Sequence, residues 1–395
     1  MFTTLLTAAA ILLSLALPFF PEGLSPSIVA YLGMLGLAGV GGFLRSPGAR
    51  KQLVLLLPWA LALALALVVG LAYGNPTTQL LEDALPYLLF AIGLAAGRGG
   101  RRPRALLLAA LLVCLGDSVI SLWRMPTYDL SRVRSTYTYF RIIAGTPLVG
   151  LFIISFLARL DRERDRLRQR VRSRAYLTRR RRALLAMALV LALAAVATVS
   201  RGMLLSLALG VSTAVYLRKP SRGLTLALLA TLGLLLFAPA LWQFGEQYLR
   251  LGSFDTVGGR MREVIHCLYV FSTRPVLGLG AAFVVDNHVV SYVHNMIAYH
   301  LWKFGLLGSA LLSLPLLAMT QQAFRAPHDL RAAILGGAVS VLAYLVTCAA
   351  YKNYTLVPLL GVVVGATLAL LAELRAERAR AESRAASTPE GATAP

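Results

Sequence analysis

The sequence predicts an all-α, polytopic integral membrane protein, about twelve transmembrane helices with an outer helical loop region. Three observations carry this prediction. Of 395 residues, 58% are apolar and only 14% are charged, against about 45–50% and about 25% in an ordinary soluble domain. Mean hydropathy is +0.71, and the apolar residues fall into repeated runs near the length of roughly 20 that crosses a bilayer. Basic residues gather between alternate runs, as they do in cytoplasmic loops. The apolar excess argues against a soluble globular enzyme and against disorder. Cys114, Cys267 and Cys348 are scattered, with neither a disulfide framework nor a metal-type spacing. The net charge of +22 is an orientation signal in such a chain, and no nucleic-acid partner is expected.

The first run, 3–20, lacks a basic start and ends in Pro18, Phe19 and Phe20, a poor cleavage site. It reads as a retained helix, not a signal peptide. Runs at 27–44 and 52–73 flank the basic stretch 45–51, and GLAGVGG at 36–42 reads as a close-packing surface between helices. Runs at 79–97 and 105–123 flank the arginines of 98–104. The sixth, 141–158, leads into 159–182, where Asp161, Glu163 and Asp165 interleave with arginines. That stretch reads as a positive-inside anchor that extends two helices into the cytoplasm. Runs at 183–199 and 202–217 meet at Ser200 and Arg201. A ninth, 223–241, precedes the outer loop 242–294, and the last three are 295–319, 332–349 and 354–373. Twelve spans put both termini inside, with 28 of the 39 lysines and arginines. The tail, 375–395, reads as a short helix followed by disorder. The whole of 1–395 is then one transmembrane domain.

This topology leaves nine arginines outside: Arg124, Arg132, Arg134, Arg141, Arg201, Arg250, Arg260, Arg262 and Arg274. Arginine presents a planar fork of donors that matches phosphate oxygens, so the group suits a phosphorylated lipid headgroup. For any single one, pairing with an acid or a lipid phosphate is the readier explanation, and less so for the group. Arg201 is the sharpest case, because it stands between two apolar stretches, where charge is costly and points to function. The alternative is a solvated arginine at a hairpin turn. Within 258–274, Met261, Val264, Ile265 and Leu268 share one helical face, and Arg260, Glu263 and Cys267 share another. An amphipathic helix over the outer membrane surface is expected there, ended by Pro275. VLGLG at 276–280 reads as an apolar re-entry into the protein.

All five histidines lie between 266 and 328. His294 opens the tenth span at the outer surface, level with Arg201, where a neutral imidazole can act as general base. The alternative is a helix-start histidine at the interface. Asn295 is placed either to orient a ligand or to cap that helix. His300 reads as structural, His266 and His288 as loop residues, and His328 as cytoplasmic. Asp255 and Glu263 are the best of the outer acids, but they are too isolated for a two-carboxylate glycosidase. No metal spacing, P-loop or nucleophile elbow occurs.

Three segments stand in one order on one side of the membrane: SRGMLLSL at 200–207, GRMREVIHCLYVFSTRPVLGLG at 259–280 and HNMIAYHLWKFGLLG at 294–308. Together they resemble the O-antigen ligase and polymerase superfamily over roughly residues 183–310. One departure is Val264, where the family often carries Trp. The resemblance implies a metal-independent, inverting glycosyltransferase with no cofactor, at the periplasmic face of a bacterial inner membrane. The implied donor is a glycan on undecaprenyl pyrophosphate, and the implied acceptor a sugar hydroxyl of lipid A–core. Arg201 and Arg260 match the family's motif arginines and would carry the leaving charge. His294 would take the acceptor's proton, and the lipid tails would lie in a groove between helices. Arg141, Arg262, Arg134 and Asn295 are added as substrate-binding candidates from charge and position. A compact chain, a moderate outer loop and the HN motif favour a ligase over a polymerase. A transporter is disfavoured, since no internal repeat is evident and the candidate residues gather at the surface.

Overall fold

The computed structural model describes residues 2–14, 26–45, 49–124, 145–168, 174–197, 201–221, 254–281, 293–348, 353 and 355–387. Among these the chain is all-helical, with no strand. The helices are α1 (Phe2–Leu13), α2 (Pro26–Arg45), α3 (Ala49–Ala72), α4 (Thr77–Gly99), α5 (Pro103–Arg124) and α6 (Gly145–Leu167), then α7 (Arg174–Ala197), α8 (Arg201–Arg218), α9 (Phe254–Thr273), α10 (Met296–Phe324), α11 (His328–Thr347) and α12 (Leu356–Ser387). Eleven of these fall on expected spans. The other, α9, is the expected amphipathic helix. The expected span 223–241 lies outside the described residues.

Four described helices are long and apolar enough to cross a membrane: Pro103–Trp123, Met296–Phe324, His328–Thr347 and Leu356–Ser383. Seven other expected spans are helical but fall short of that criterion among the described residues. α7 begins among arginines, α6 ends in RLDRERDRL, and α4 carries Asp83 near its start and Arg98 near its end. The structure is therefore that of a helical membrane protein with four spans evident by length and composition.

The tightest helix pair is α4 against α12, and its cause is legible in four glycines. Gly93 and Gly97 of α4 abut the backbone carbonyls of Pro358 and Val362, while Gly361 and Gly365 of α12 abut those of Phe90 and Leu94. The contacts advance together along both chains, so the helices run parallel. Small residues four apart on each partner let the backbones touch, the usual device of helices packed within a bilayer. In the GLAGVGG stretch of α2, Gly39 faces Ile92 and Gly42 abuts the Ala95 carbonyl with no room for a side chain, so this stretch packs on α4 as expected.

Ion pairs separate the two ends of the bundle. Asp161, near the end of α6, binds Arg104 at the start of α5 at 2.5 Å and also Arg180 of α7. Glu163 binds Arg166 at 2.7 Å and Arg378 of α12 at 3.0 Å. Arg218, closing α8, binds Asp329 at the start of α11 at 2.9 Å. The starts of α4, α8, α10 and α12 lie at the opposite end from these pairs. The basic stretch 159–182 thus does extend α6 and α7, and its buried acids hold four helices together.

Candidate functional site

The site forms where α9 meets the start of α10. Helical spacing gives α9 two unlike faces. Met261, Ile265, Leu268 and Tyr269 are exposed, at 58%, 57%, 43% and 70%, whereas Cys267 is buried at 1%. Arg260, Glu263, Val264 and Val270 are half-buried beside Cys267. The polar face therefore turns inward and the apolar face outward, an arrangement that suits a helix immersed in lipid. Val264 packs into the core, so it leaves the apolar face on which the sequence placed it.

Glu263 reaches His294. Its Oε2 lies 3.0 Å from His294 Nδ1 and also accepts the His294 backbone N–H at 3.2 Å. Two contacts to one residue fix both the ring and the backbone from which it projects. With a proton on Nδ1 donated to Glu263, the other ring nitrogen, Nε2, is left as the acceptor. Both side chains are about one-third exposed, at 34% and 30%. On the same face, burial first and the Glu263 charge second hold the Cys267 thiol up at about 12, against the opposing Lys303 charge.

Asn295 serves as the N-cap of α10, its Oδ1 accepting the Ala298 N–H at 2.9 Å. Of its two expected roles, capping is the one observed. Ten residues later α10 breaks at Gly305, with φ 62° and ψ −169°. The break is filled by the segment that follows α9. Leu279 and Gly280 N–H groups donate to the carbonyls of Trp302 and Lys303, both at 3.0 Å, and Leu306 and Leu307 N–H groups donate to those of Pro275 and Val276 at 2.8 and 3.1 Å. Asn75 completes the lashing, its Nδ2 donating to the carbonyls of Leu279 and Ala281 at 3.1 and 2.8 Å. Gly280, at φ 80°, lies against the Gly70 backbone, where a side chain has no room. The expected re-entry at 276–280 is thus an irregular segment, exposed at Val276 and Leu277 and buried from Gly278 onward, whose backbone groups are satisfied by the broken helix.

Below His294 lies a second charged group that the sequence reading did not single out. Asp83 of α4 accepts the Tyr299 hydroxyl at 2.8 Å on one oxygen and the Lys303 ammonium at 2.8 Å on the other. The Lys303 ammonium also lies 4.7 Å from the Trp302 ring centroid. Its side chain is 4% exposed and that of Asp83 11%.

The other expected site residues divide as follows. Arg260 is half-buried on the face shared with Glu263, and Arg262 is exposed on the flank of α9. Arg201 is the first residue of α8. The next residue, Gly202, packs on Thr347 at the end of α11, which places Arg201 at the His294 end of the bundle. Arg134 and Arg141 lie outside the described residues, as does His288. His266 is helical, not in a loop. His300 is structural, its ring tilted on Tyr87 at 5.5 Å and edge-on to Phe304 at 5.7 Å. Among the described residues, no three His, Cys, Asp or Glu side chains converge as a metal site would need.

No protein-family model matches the chain, and no curated protein matches it.

Proposed function

We propose that this chain is a metal-independent glycosyltransferase of the O-antigen ligase type, working at the periplasmic face of a bacterial inner membrane. The observation that carries this reading is the 3.0 Å contact between His294 Nδ1 and Glu263. A carboxylate that orients an imidazole makes a general base of its far nitrogen. His294 Nε2 takes the proton of an acceptor sugar hydroxyl on lipid A–core. The freed oxygen attacks the anomeric carbon of a glycan held on undecaprenyl pyrophosphate. The new glycosidic C–O bond forms as the bond to the pyrophosphate breaks, with inversion. Charge then builds on the leaving pyrophosphate, and Arg260 and Arg201 neutralise it through charge-assisted hydrogen bonds. Arg262, Arg134 and Arg141 are further candidates for holding that substrate.

Two features agree with lipid-borne substrates. The outward face of α9 is apolar, so the site lies beside lipid. A mostly apolar cavity of about 180 Å³ opens among the helices below it, lined by Trp59, Tyr87, Phe152, Met296, Val341 and Leu360. It suits a hydrocarbon tail.

The test is reconstituted transfer with a chelator present. Purified protein is mixed with undecaprenyl-pyrophosphate glycan and lipid A–core, and the products are separated on a gel. The expected result is shifted lipid A–core, lost in His294→Ala. A folded protein that yields no shift overturns the ligase reading, and a lengthening ladder on the polyprenyl carrier without lipid A–core assigns a polymerase instead.

A further inference from the structure

We propose that Asp83 and Lys303 are positioning residues for the His294–Glu263 pair, acting through the half-helix that runs from Met296 to the break at Gly305. The inference rests on the reading of His294 as the general base.

The half-helix is too short to hold itself, since isolated helices below about 12–15 residues are marginal. Its N-terminus is closed by Asn295. Two of the last carbonyls before its break, those of Trp302 and Lys303, are held by Leu279 and Gly280. What remains to be set is its rotation about its own axis, and Asp83 sets that. Its two carboxylate oxygens take Tyr299 and Lys303, residues four apart and so one above the other on a single helical face. A one-residue slip would turn that face by roughly 100°. His294 immediately precedes the cap and would turn with it, away from Glu263.

The same pair reaches Glu263 from the other direction. The carbonyl of Lys303 accepts the N–H of Gly280, and Gly280 belongs to the segment that leads out of α9. The buried Cys267 thiol is near enough to feel both the Glu263 carboxylate and the Lys303 ammonium. α4, α9 and α10 are thus referenced to one ion pair. A buried pair is a poor route to stability, and its best-attested use is to fix register. Within a membrane-spanning helix, ionisable groups point to function by default.

The experiment uses the full chain in lipid nanodiscs, with 15N-labelled histidine. His294 ring signals are identified by their loss in His294→Asn. Glu263→Gln supplies the spectrum of a ring whose carboxylate partner is replaced by a neutral amide. The decisive variant is Asp83→Asn with Lys303→Met, which removes both charges together and strands neither. The expected result is a cooperative thermal melt with the His294 signals moved toward those of Glu263→Gln. Transfer kcat falls at least tenfold while KM for the donor holds. A purely structural pair would shift the melt and leave the His294 signals at their wild-type positions, and that outcome overturns the proposal. If the double variant does not fold, Tyr299→Phe decides the matter, because it removes one bond to Asp83 and keeps the ion pair. A displacement of His294 in the same direction supports the proposal, and an unchanged spectrum overturns it. The spectra need no turnover, so failure of the ligase reading shows as wild-type inactivity and is distinct from failure of this one.

Discussion

His294 and Glu263 are 31 residues apart in sequence and 3.0 Å apart in space. Each was visible in the sequence, His294 as a base at a helix start and Glu263 as one of the better outer acids, but nothing in the spacing joined them. We expect His294→Ala to lower transfer by about 10² to 10⁴, the usual contribution of a positioned base. Glu263→Gln should lower kcat by less, with donor KM unchanged, because the ring remains but its tautomer is no longer held. Steady-state kinetics on folded variants checks both, and wild-type rates in either remove that residue from the chemistry. Arg201→Lys should also be poor, since a point charge cannot reproduce a bidentate fork. Cys267 gives a test without substrate. Its thiol is buried at 1% and raised to about 12, so at pH 8 it stays protonated. Cys114 and Cys348 are buried too. Maleimide should therefore label the native protein hardly at all and the denatured protein at three sites; rapid native labelling would contradict the buried face of α9.

At the scale of elements, α4 and α12 depend on four glycines. Replacing Gly361, which abuts the Phe90 carbonyl, by Leu should push the backbones apart and destabilise the fold by about 1–3 kcal/mol or more. The measurement is a thermal melt in detergent, and an unchanged midpoint would mean that the seam does not bear on stability. The GLAGVGG stretch announced a seam of this kind in the sequence; α4 and α12 carry the same signal as glycine pairs four apart, Gly93 with Gly97 and Gly361 with Gly365, which the sequence reading did not single out. The break in α10 at Gly305 was not legible either. HLWKFGLLG reads as continuous helix, and only the irregular segment 275–281 lying in the gap explains why the helix opens there. That segment satisfies the carbonyls and N–H groups that the break exposes, and a buried chain cannot leave them unpaired.

Across the whole molecule, charge is sorted by end. The pairs built on Asp161 and Glu163 join α5, α6, α7 and α12 at the end opposite His294. Asp161 is 2% exposed, so Asp161→Asn strands two arginine partners. A loss of about 1–3 kcal/mol is expected, at the lower end because Arg104 is 45% exposed. The melting midpoint measured at two salt concentrations checks this; a larger loss in low salt is the expected sign, since salt screens exposed charge.

The sequence by itself determined the class of the protein and the position of its helices. Both follow from local quantities, namely the length of an apolar run and the period of its polar residues. Eleven expected spans are helices, and α9 is amphipathic on the faces its spacing implied, apart from Val264. Only the tertiary structure decided which residues meet. It brought Glu263 to His294, gave Asn295 to the helix cap, and set Asp83 beneath them on Tyr299 and Lys303, 216 and 220 residues away. Such pairings depend on which helix faces turn toward one another. Close packing among all the helices sets those rotations at once, and no stretch of sequence carries them alone.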